Sequence, residues 1–414
     1  MMKIKQQTSA KAEPRLGFQA TATQGASMNS GGTRSTINSP LVNYALQGLE
    51  KCWLPEHGRW SHVYHVDGRD QPNESIAQSD VFYTLNVLLG LARVPQVPHS
   101  IAISSTFERN VGQLLTLPVA KYAFGMALWA AAELKLEIPP DVGRHLNSLL
   151  SDRKNWVRFR AQDLGLILTG IVAQAKAGRT EWYKFAAPLF EFLVERYTGP
   201  SGLFRDGPSG PRRRFASFAS QTYLTLACYS YGECAEIPHA IEIANLCTRK
   251  LIELQGPSGE WPWFFDAQNG SVVDFYEVYS VHQFGMAPAF LECAERNEVF
   301  EARDALTRGF KWVLGDNQLA KPMLVPEMSL TIRSQVRKHE LHTKKLRLVR
   351  SIQNAILGRA AGLIDPAHVQ MRLECRSYEL GWILWSFGSR LDLPELTHNR
   401  TFVEALEQPA DFAA

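Results

Sequence analysis

Twelve segments of helical periodicity follow one another along the chain, one amphipathic, the next apolar on most sides. The amphipathic ones lie at about 41–53, 100–116, 140–151, 181–197, 236–255 and 299–314. In the last, "VFEARDALTRGFKWVL" sets Phe300, Leu306, Phe310 and Val313 among spaced charges, one apolar stripe against one wet face. The apolar ones lie at about 80–94, 120–134, 160–176, 214–232, 276–296 and 375–391, with "DVFYTLNVLLGLARV" and "YAFGMALWAAAEL" as examples. A helix that is hydrophobic nearly all round must be surrounded by protein. Gly90, Gly125, Gly165 and Gly285 allow such helices to approach closely, at some cost in helix propensity. Six buried helices inside six outer ones predict an all-α, single-domain (α/α)6 toroid. An open solenoid or a pair of stacked bundles ranks below it, because a solenoid's paired helices each keep a more exposed face.

The turns repeat as well. "HGRWSHVYHVDG" (57–68), "SGLFRDGPSG" (201–210) and "SGEWPWFFDAQNG" (258–270) share a glycine, an aromatic two residues on, then an aspartate and a glycine. Each precedes an inner helix, which predicts hairpin-like loops on one rim. The toroid is expected over 39–395, followed by a C-terminal tail, 396–414. Between about 315 and 374 the pattern breaks. "KPMLVPEMSL" reads as a Pro-bounded loop, and "RSQVRKHELHTKKLRLVRSIQNAILGRAAG" as an inserted basic helix. Its cations Arg333, Arg337, Lys338, Lys344, Lys345, Arg347 and Arg350 accompany a stripe of Leu341, Leu346, Val349 and Ile352. Such a helix is ordinarily a solvated face. The sharper readings are a lid over the funnel, or a surface at 333–352 that contacts anionic lipid or glycan.

Composition narrows the classes. A net charge of +3 over 414 residues is too small for a dedicated nucleic-acid binder. Residues 1–38 are rich in Ser, Thr, Gln, Gly and Ala without an apolar core, which predicts a disordered tail rather than a secretion signal. No run is long enough to span a membrane. The six cysteines are scattered, with no CxxC pair, and fit a reduced, cytoplasmic protein. No G-x-S-x-G elbow, P-loop or dinucleotide glycine motif is present.

Six hairpins with inner and outer rings resemble the six-hairpin glycosidase superfamily and, more weakly, terpenoid cyclase and protein prenyltransferase toroids. "LIELQGPSGEW" (251–261) is similar to the end of the QW repeat of squalene-type cyclases, with Gln255, Gly259 and Trp261 in the motif. The chemistry of that branch is missing: there is no D-x-D-D, no D-D-x-x-D, and no Asp-x-Cys for a zinc site. The carbohydrate branch asks only for carboxylates around a funnel.

In such a toroid the funnel is lined by the rim loops and the first turns of the inner helices. The acid/base pool expected there is Asp80, Asp266, Asp274, Glu277, His282 and Glu379. Asp80 and Asp163 have a competing role as helix caps. Tyr279, His282 and Gln283 share one helical face by spacing. Trp263, Tyr276, Tyr279, Gln283, Arg376 and Tyr378 are the expected substrate contacts, and Trp261 a packing residue. Arg205, Arg212, Arg213, Arg214 and Arg376 suit a carboxylated sugar or else a solvated loop. His62 and His65 point to opposite faces of an extended loop, so no metal is expected, nor any other cofactor. The leading expectation is an enzyme acting on an oligo- or polysaccharide, a hydrolase, lyase or epimerase. An isoprenoid-processing toroid and a non-catalytic scaffold of polysaccharide assembly stand as alternatives.

Overall fold

The computed structural model describes residues 37–339, 344–359 and 362–407. The stretch expected to be a disordered tail lies outside these residues except at its very end. All twelve predicted helices form. The outer ones are α1 (Pro40–Lys51), α3 (Ile103–Gly112), α5 (Pro140–Ser151), α7 (Ala186–Tyr197), α9 (Pro238–Glu253) and α11 (Ala302–Leu314). The inner ones are α2 (Ala77–Leu91), α4 (Tyr122–Leu134), α6 (Ala161–Lys176), α8 (Phe218–Ala235), α10 (Ala287–Arg296) and α13 (Ser377–Phe387), with α12 (Lys344–Ile356) inserted before the last. Each inner helix packs on the next, and α13 returns to α2 to close the ring. The fold is an (α/α)6 toroid.

The inner ring is tight because glycines bring backbones together. A Cβ on Gly125 would sit 2.3 Å from the Leu166 carbonyl carbon, and one on Gly170 2.4 Å from the Gly125 carbonyl oxygen. Neither neighbour is a side chain that can swing away. Gly125→Ala is therefore expected to cost about 1–3 kcal/mol by overpacking despite its better helix propensity. A shift in urea midpoint measures it, and an unchanged or higher midpoint contradicts this packing.

The three rim turns share one construction. Gly58, Gly202 and Gly259 have φ of +61°, +88° and +89°, a region that favours glycine. The aromatic two residues later, Trp60, Phe204 or Trp261, is buried. In each case its backbone N–H donates to a side chain of the following inner segment: Thr84 Oγ1 (3.0 Å), Gln221 Oε1 (2.7 Å) or Gln283 Oε1 (3.1 Å). Gln255 fixes the third turn from behind, donating to the carbonyls of Gly259 and Ala305. Strands of two to four residues stitch this rim together, too short to leave an alternating pattern in sequence.

The insertion differs from its prediction as one basic helix. Ser334–Arg337 is a strand that pairs with Val369–Arg372 on one side and Val278–Tyr279 on the other. Among the described residues of the stretch read as a basic helix, Lys344–Ile356 forms the α-helix. Nor are its cations simply a solvated face. Arg337 grips Asp274 (2.7 Å), and Arg347 is buried against Glu277, which Arg372 also reaches at 3.3 Å. Lys345 and Arg350 do face solvent, as do Leu346 and Val349 of the supposed apolar stripe. The segment read as a C-terminal tail holds the end of helix α14 (Pro394–Thr397) and all of α15 (Arg400–Glu407). Phe402 of α15 lies in the core, 5.3 Å from the Tyr44 ring.

Candidate active site

The N-terminal ends of the inner helices converge on a cavity of about 230 Å³. Tyr83 of α2, Tyr122 of α4, Gln162 of α6, Tyr223 of α8 and Tyr378 of α13 each send a side chain to it. His282 enters from a single π-helical turn, His282–Met286, that leads into α10. Such turns are rare and frequent at functional sites. Tyr279, Trp263 and Arg333 complete the polar and aromatic wall.

Five tyrosines give this wall apolar faces with hydroxyl tips. Burial pushes all five phenols up, Tyr122 to about 12, so they stay neutral near pH 7 and serve as both donors and acceptors. Tyr279 stands between the two strongest groups. Its ring centroid is 5.0 Å from that of His282 and 5.3 Å from the Arg333 guanidinium. Phe218 supports the other side of the imidazole at 4.4 Å. Arg333 is only weakly compensated. Its nearest acid, Glu374 (3.9 Å), is held more closely by Arg376 (2.8 Å). Its buried Nε and Nη1 have no hydrogen-bond acceptor among the described residues, an arrangement that costs free energy unless a ligand oxygen supplies one. Behind Tyr83, at 4.9 Å, lies the His62 ring. Burial, helped by Arg376 and Arg333, lowers His62 to about 3 and keeps it neutral.

Of the expected site residues, His282, Tyr279, Tyr378 and Trp263 meet at this cavity. The expected carboxylates do not line it. Asp80 caps the start of α2, accepting from Ser75 Oγ (2.5 Å) and the Ile76 N–H (3.2 Å), with Arg59 at 3.6 Å. Asp163 accepts from the Arg160 and Tyr122 N–H groups, again as a cap. Asp266 binds Arg214 and the Gln268 N–H of its hairpin. Asp274 holds Arg337, Ser351 Oγ and the Tyr276 N–H. Glu277 holds Ser334 Oγ, Arg347 and Arg372; burial raises its pKa, but Arg372, Arg333 and Arg347 outweigh this and keep it below the ordinary value. Glu379 is fully buried beside Thr331 Oγ1 (3.3 Å), and burial followed by Cys375 pushes it well up.

The other expected contacts lie around the cavity rather than on it. Gln283 is turned to the rim turn and to the Tyr279 carbonyl, and Arg376 to Glu374 and the His62 carbonyl. Tyr276 is buried under Arg337, 4.9 Å from its ring. Conversely, Tyr83, Tyr122, Tyr223 and Arg333 were not among the expected site residues. A signal existed for the tyrosines: inner helices α2, α4, α8 and α13 each hold one within two turns of their start. Arg333 left no comparable signal, since it was one cation of a basic run.

A larger cavity of about 640 Å³ lies among the C-terminal ends of the inner helices. Its Glu137, Glu233 and Glu292 are matched by Arg179, Lys176, Arg296 and Arg93. Trp382, fully buried between Tyr223 of the first cavity and Trp129 of the second, separates the two. Among the described residues no cluster of His, Cys, Asp and Glu is built to hold a metal ion, and no helix is long and apolar enough to cross a membrane.

No family model matches the chain, and no curated protein matches it in sequence. Solved structures do share its fold. A cellobiose 2-epimerase from Bacillus thermoamylovorans B4167 is 10% identical over 85% of this chain and 99% of its own, with a TM-score of 0.59. A sugar epimerase from a ruminal bacterium is 8% identical over 85% and 99%, with a TM-score of 0.56. A possible member of the GH105 family from Klebsiella pneumoniae subsp. pneumoniae MGH 78578 is 12% identical over 92% and 98%, with a TM-score of 0.53. These structures share the (α/α)6 toroid fold with this chain, and the weaker likeness to terpenoid cyclases finds no support in them.

Proposed function

We propose that this protein is a carbohydrate-active enzyme that moves a proton at a sugar carbon next to a carbonyl group, as epimerases and lyases do. The supporting observation is the composition of the cavity wall: His282 and Arg333 flank Tyr279, and no carboxylate is among the described lining residues. A glycosidase needs an opposed pair of carboxylic groups at its scissile bond. Here the acids of the rim are committed to arginines, hydroxyls and backbone N–H groups. Proton transfer needs a base that returns what it takes, and a donor for the oxygen that gains charge. His282 fills the first role: it takes the proton as the C–H electron pair moves into the carbonyl, leaving an enolate. Arg333 fills the second, its N–H groups donating to the enolate oxygen. Return of the proton by His282 to the opposite face, once the enolate has turned over in the cavity, gives the epimer; expulsion of a β-substituent, which leaves with the proton that His282 holds, forms a double bond and gives the lyase product. The phenols and Gln162 hold ring hydroxyls, and Trp263 offers a flat face to the ring. Sugar epimerases of the same fold lend the reading plausibility, although a shared fold does not assign a reaction.

The test is incubation with reducing mono- and disaccharides and with uronides in heavy water, followed by mass spectrometry and NMR. One carbon-bound deuteron per epimerised sugar, or a new carbon–carbon double bond in an elimination product, is expected. Cleavage of a glycosidic bond with uptake of water, with neither deuterium on carbon nor a double bond in the product, would assign a hydrolase instead. Tight binding with neither outcome would leave a scaffold.

A further inference from the structure

Beside the central cavity lies a second one, of about 190 Å³, which shares Gln162, Ser217 and Trp263 with it. Its floor is a flat apolar strip. The Trp263 and Phe264 rings are 5.1 Å apart and tilted by 27°, and the Phe264 and Phe215 rings are 6.0 Å apart and tilted by 25°. Its roof is the inserted helix α12, through Leu348 and Ile352. That helix is anchored from below by Arg347 on Glu277 and by Ser351 on Asp274 (2.8 Å). Arg347 also lies 5.9 Å from the Trp263 ring. A slot between parallel rings and an aliphatic roof suits a flat, partly apolar ring. Its opening onto the central cavity suits a ring joined to the one held there.

The rim of this groove carries excess positive charge. Arg212 is paired with Asp206 and Arg214 with Asp266. Arg160, which lines the groove, and Arg205 and Arg213 beside it have no carboxylate within ion-pair distance among the described residues. Burial and the neighbouring Arg213 lower the pKa of Arg205, so these two guanidinium groups sit together without a counter-charge. Clustered arginines of this kind favour an anionic partner, because each forms charge-assisted hydrogen bonds with carboxylate or sulfate oxygens.

We propose that the groove is a second saccharide subsite, for a sugar ring bearing an anionic substituent and linked to the ring in the central cavity. The natural ligand is then an acidic saccharide of at least two units, with Arg160 reaching the charged group. This rests on the reading of the central cavity as a sugar site, but the test uses binding rather than turnover. Calorimetry would compare neutral, uronate-containing and sulfated disaccharides with their component monosaccharides.

An acidic disaccharide should bind best, more tightly than either of its halves, and should weaken as salt is raised from 0.05 to about 0.5 M because screening shortens to a few ångströms. The uronate and sulfate arms distinguish the two sources of charge. In Arg160→Gln, an exposed position, the ratio of acidic-disaccharide to monosaccharide affinity should fall about tenfold. Ile352→Trp, which fills the slot from the roof, should lower the same ratio. Equal affinity for neutral and acidic disaccharides overturns the proposal. So does a panel on which no disaccharide binds better than its monosaccharides, or an unchanged ratio in both variants. Binding as described but no deuterium exchange would remove the reaction assigned above and keep the subsite. Exchange on monosaccharides with an unresponsive groove would do the reverse.

Discussion

His282→Asn should lose about 10²–10⁴-fold in the rate of deuterium exchange at the sugar carbon while the protein stays folded. Asparagine keeps a polar group in the π-helical turn but takes up no proton between pH 5 and 8. The imidazole lies between the Phe218 and Tyr279 rings, so the smaller side chain leaves aromatic walls that need little rearrangement. The informative comparison is with Asp266→Asn and Asp274→Asn. These carboxylates hold Arg214 and Arg337, respectively, and are absent from the cavity wall. Their replacement should lower the unfolding midpoint and leave the exchange rate per folded molecule within a few fold. Full exchange in His282→Asn, or its loss in a well-folded Asp266→Asn, would move the chemistry from the imidazole to the carboxylates.

That contrast marks what could be read from the sequence. The ring of helices was legible because burial on all sides leaves a helix no polar face, and each inner helix shows this in its own residues. "YAFGMALWAAAEL" can only be surrounded. The rim turns were legible because a left-handed glycine followed by a buried aromatic must recur wherever the same turn recurs. Pairing across long separations was not. Asp274 and Arg337 lie 63 residues apart, and Glu277 and Arg347 lie 70 apart. Nothing local says that each acid already has its arginine, so acids that clasp the insertion looked like acids free to act. Gln283 shows the same limit in smaller form. Its spacing from Tyr279 and His282 suggested a shared catalytic face, whereas its amide repeats the role of Gln221 in holding a rim turn. The strand Ser334–Arg337 was hidden for a related reason, since four residues between two partners carry no period of their own.

Glu277→Gln should destabilise the protein by about 3–5 kcal/mol, the usual cost of removing one partner from a buried ion pair. Glu277 is fully buried and joins three parts of the insertion: Ser334 of its strand, Arg347 of α12, and Arg372 of the returning strand. Glutamine preserves the shape but removes the carboxylate charge that faces Arg347, itself buried, and Arg372. The double variant Glu277→Gln/Arg347→Gln should recover part of the loss, because it removes both charges of the buried pair. Denaturant unfolding measures both, and a loss below about 1 kcal/mol in the single variant would show that the clasp is not structural. Acid titration separates its share from that of His62. The folded protein holds His62 at about 3 while the unfolded chain protonates it near 6.5. Unfolding therefore takes up a proton, and stability declines as the pH falls from about 6.5 toward 3. Glu277 has a folded pKa below its ordinary value, so its contribution is present above about 4.3 and is lost as the pH falls through the lower folded value. Glu277→Gln should accordingly flatten the acid limb below about pH 4.3 and leave the decline between 6.5 and 4.3 in place. His62→Gln should flatten the upper part instead. If both variants kept the wild-type slope throughout, neither group would be responsible for the acid sensitivity of the rim.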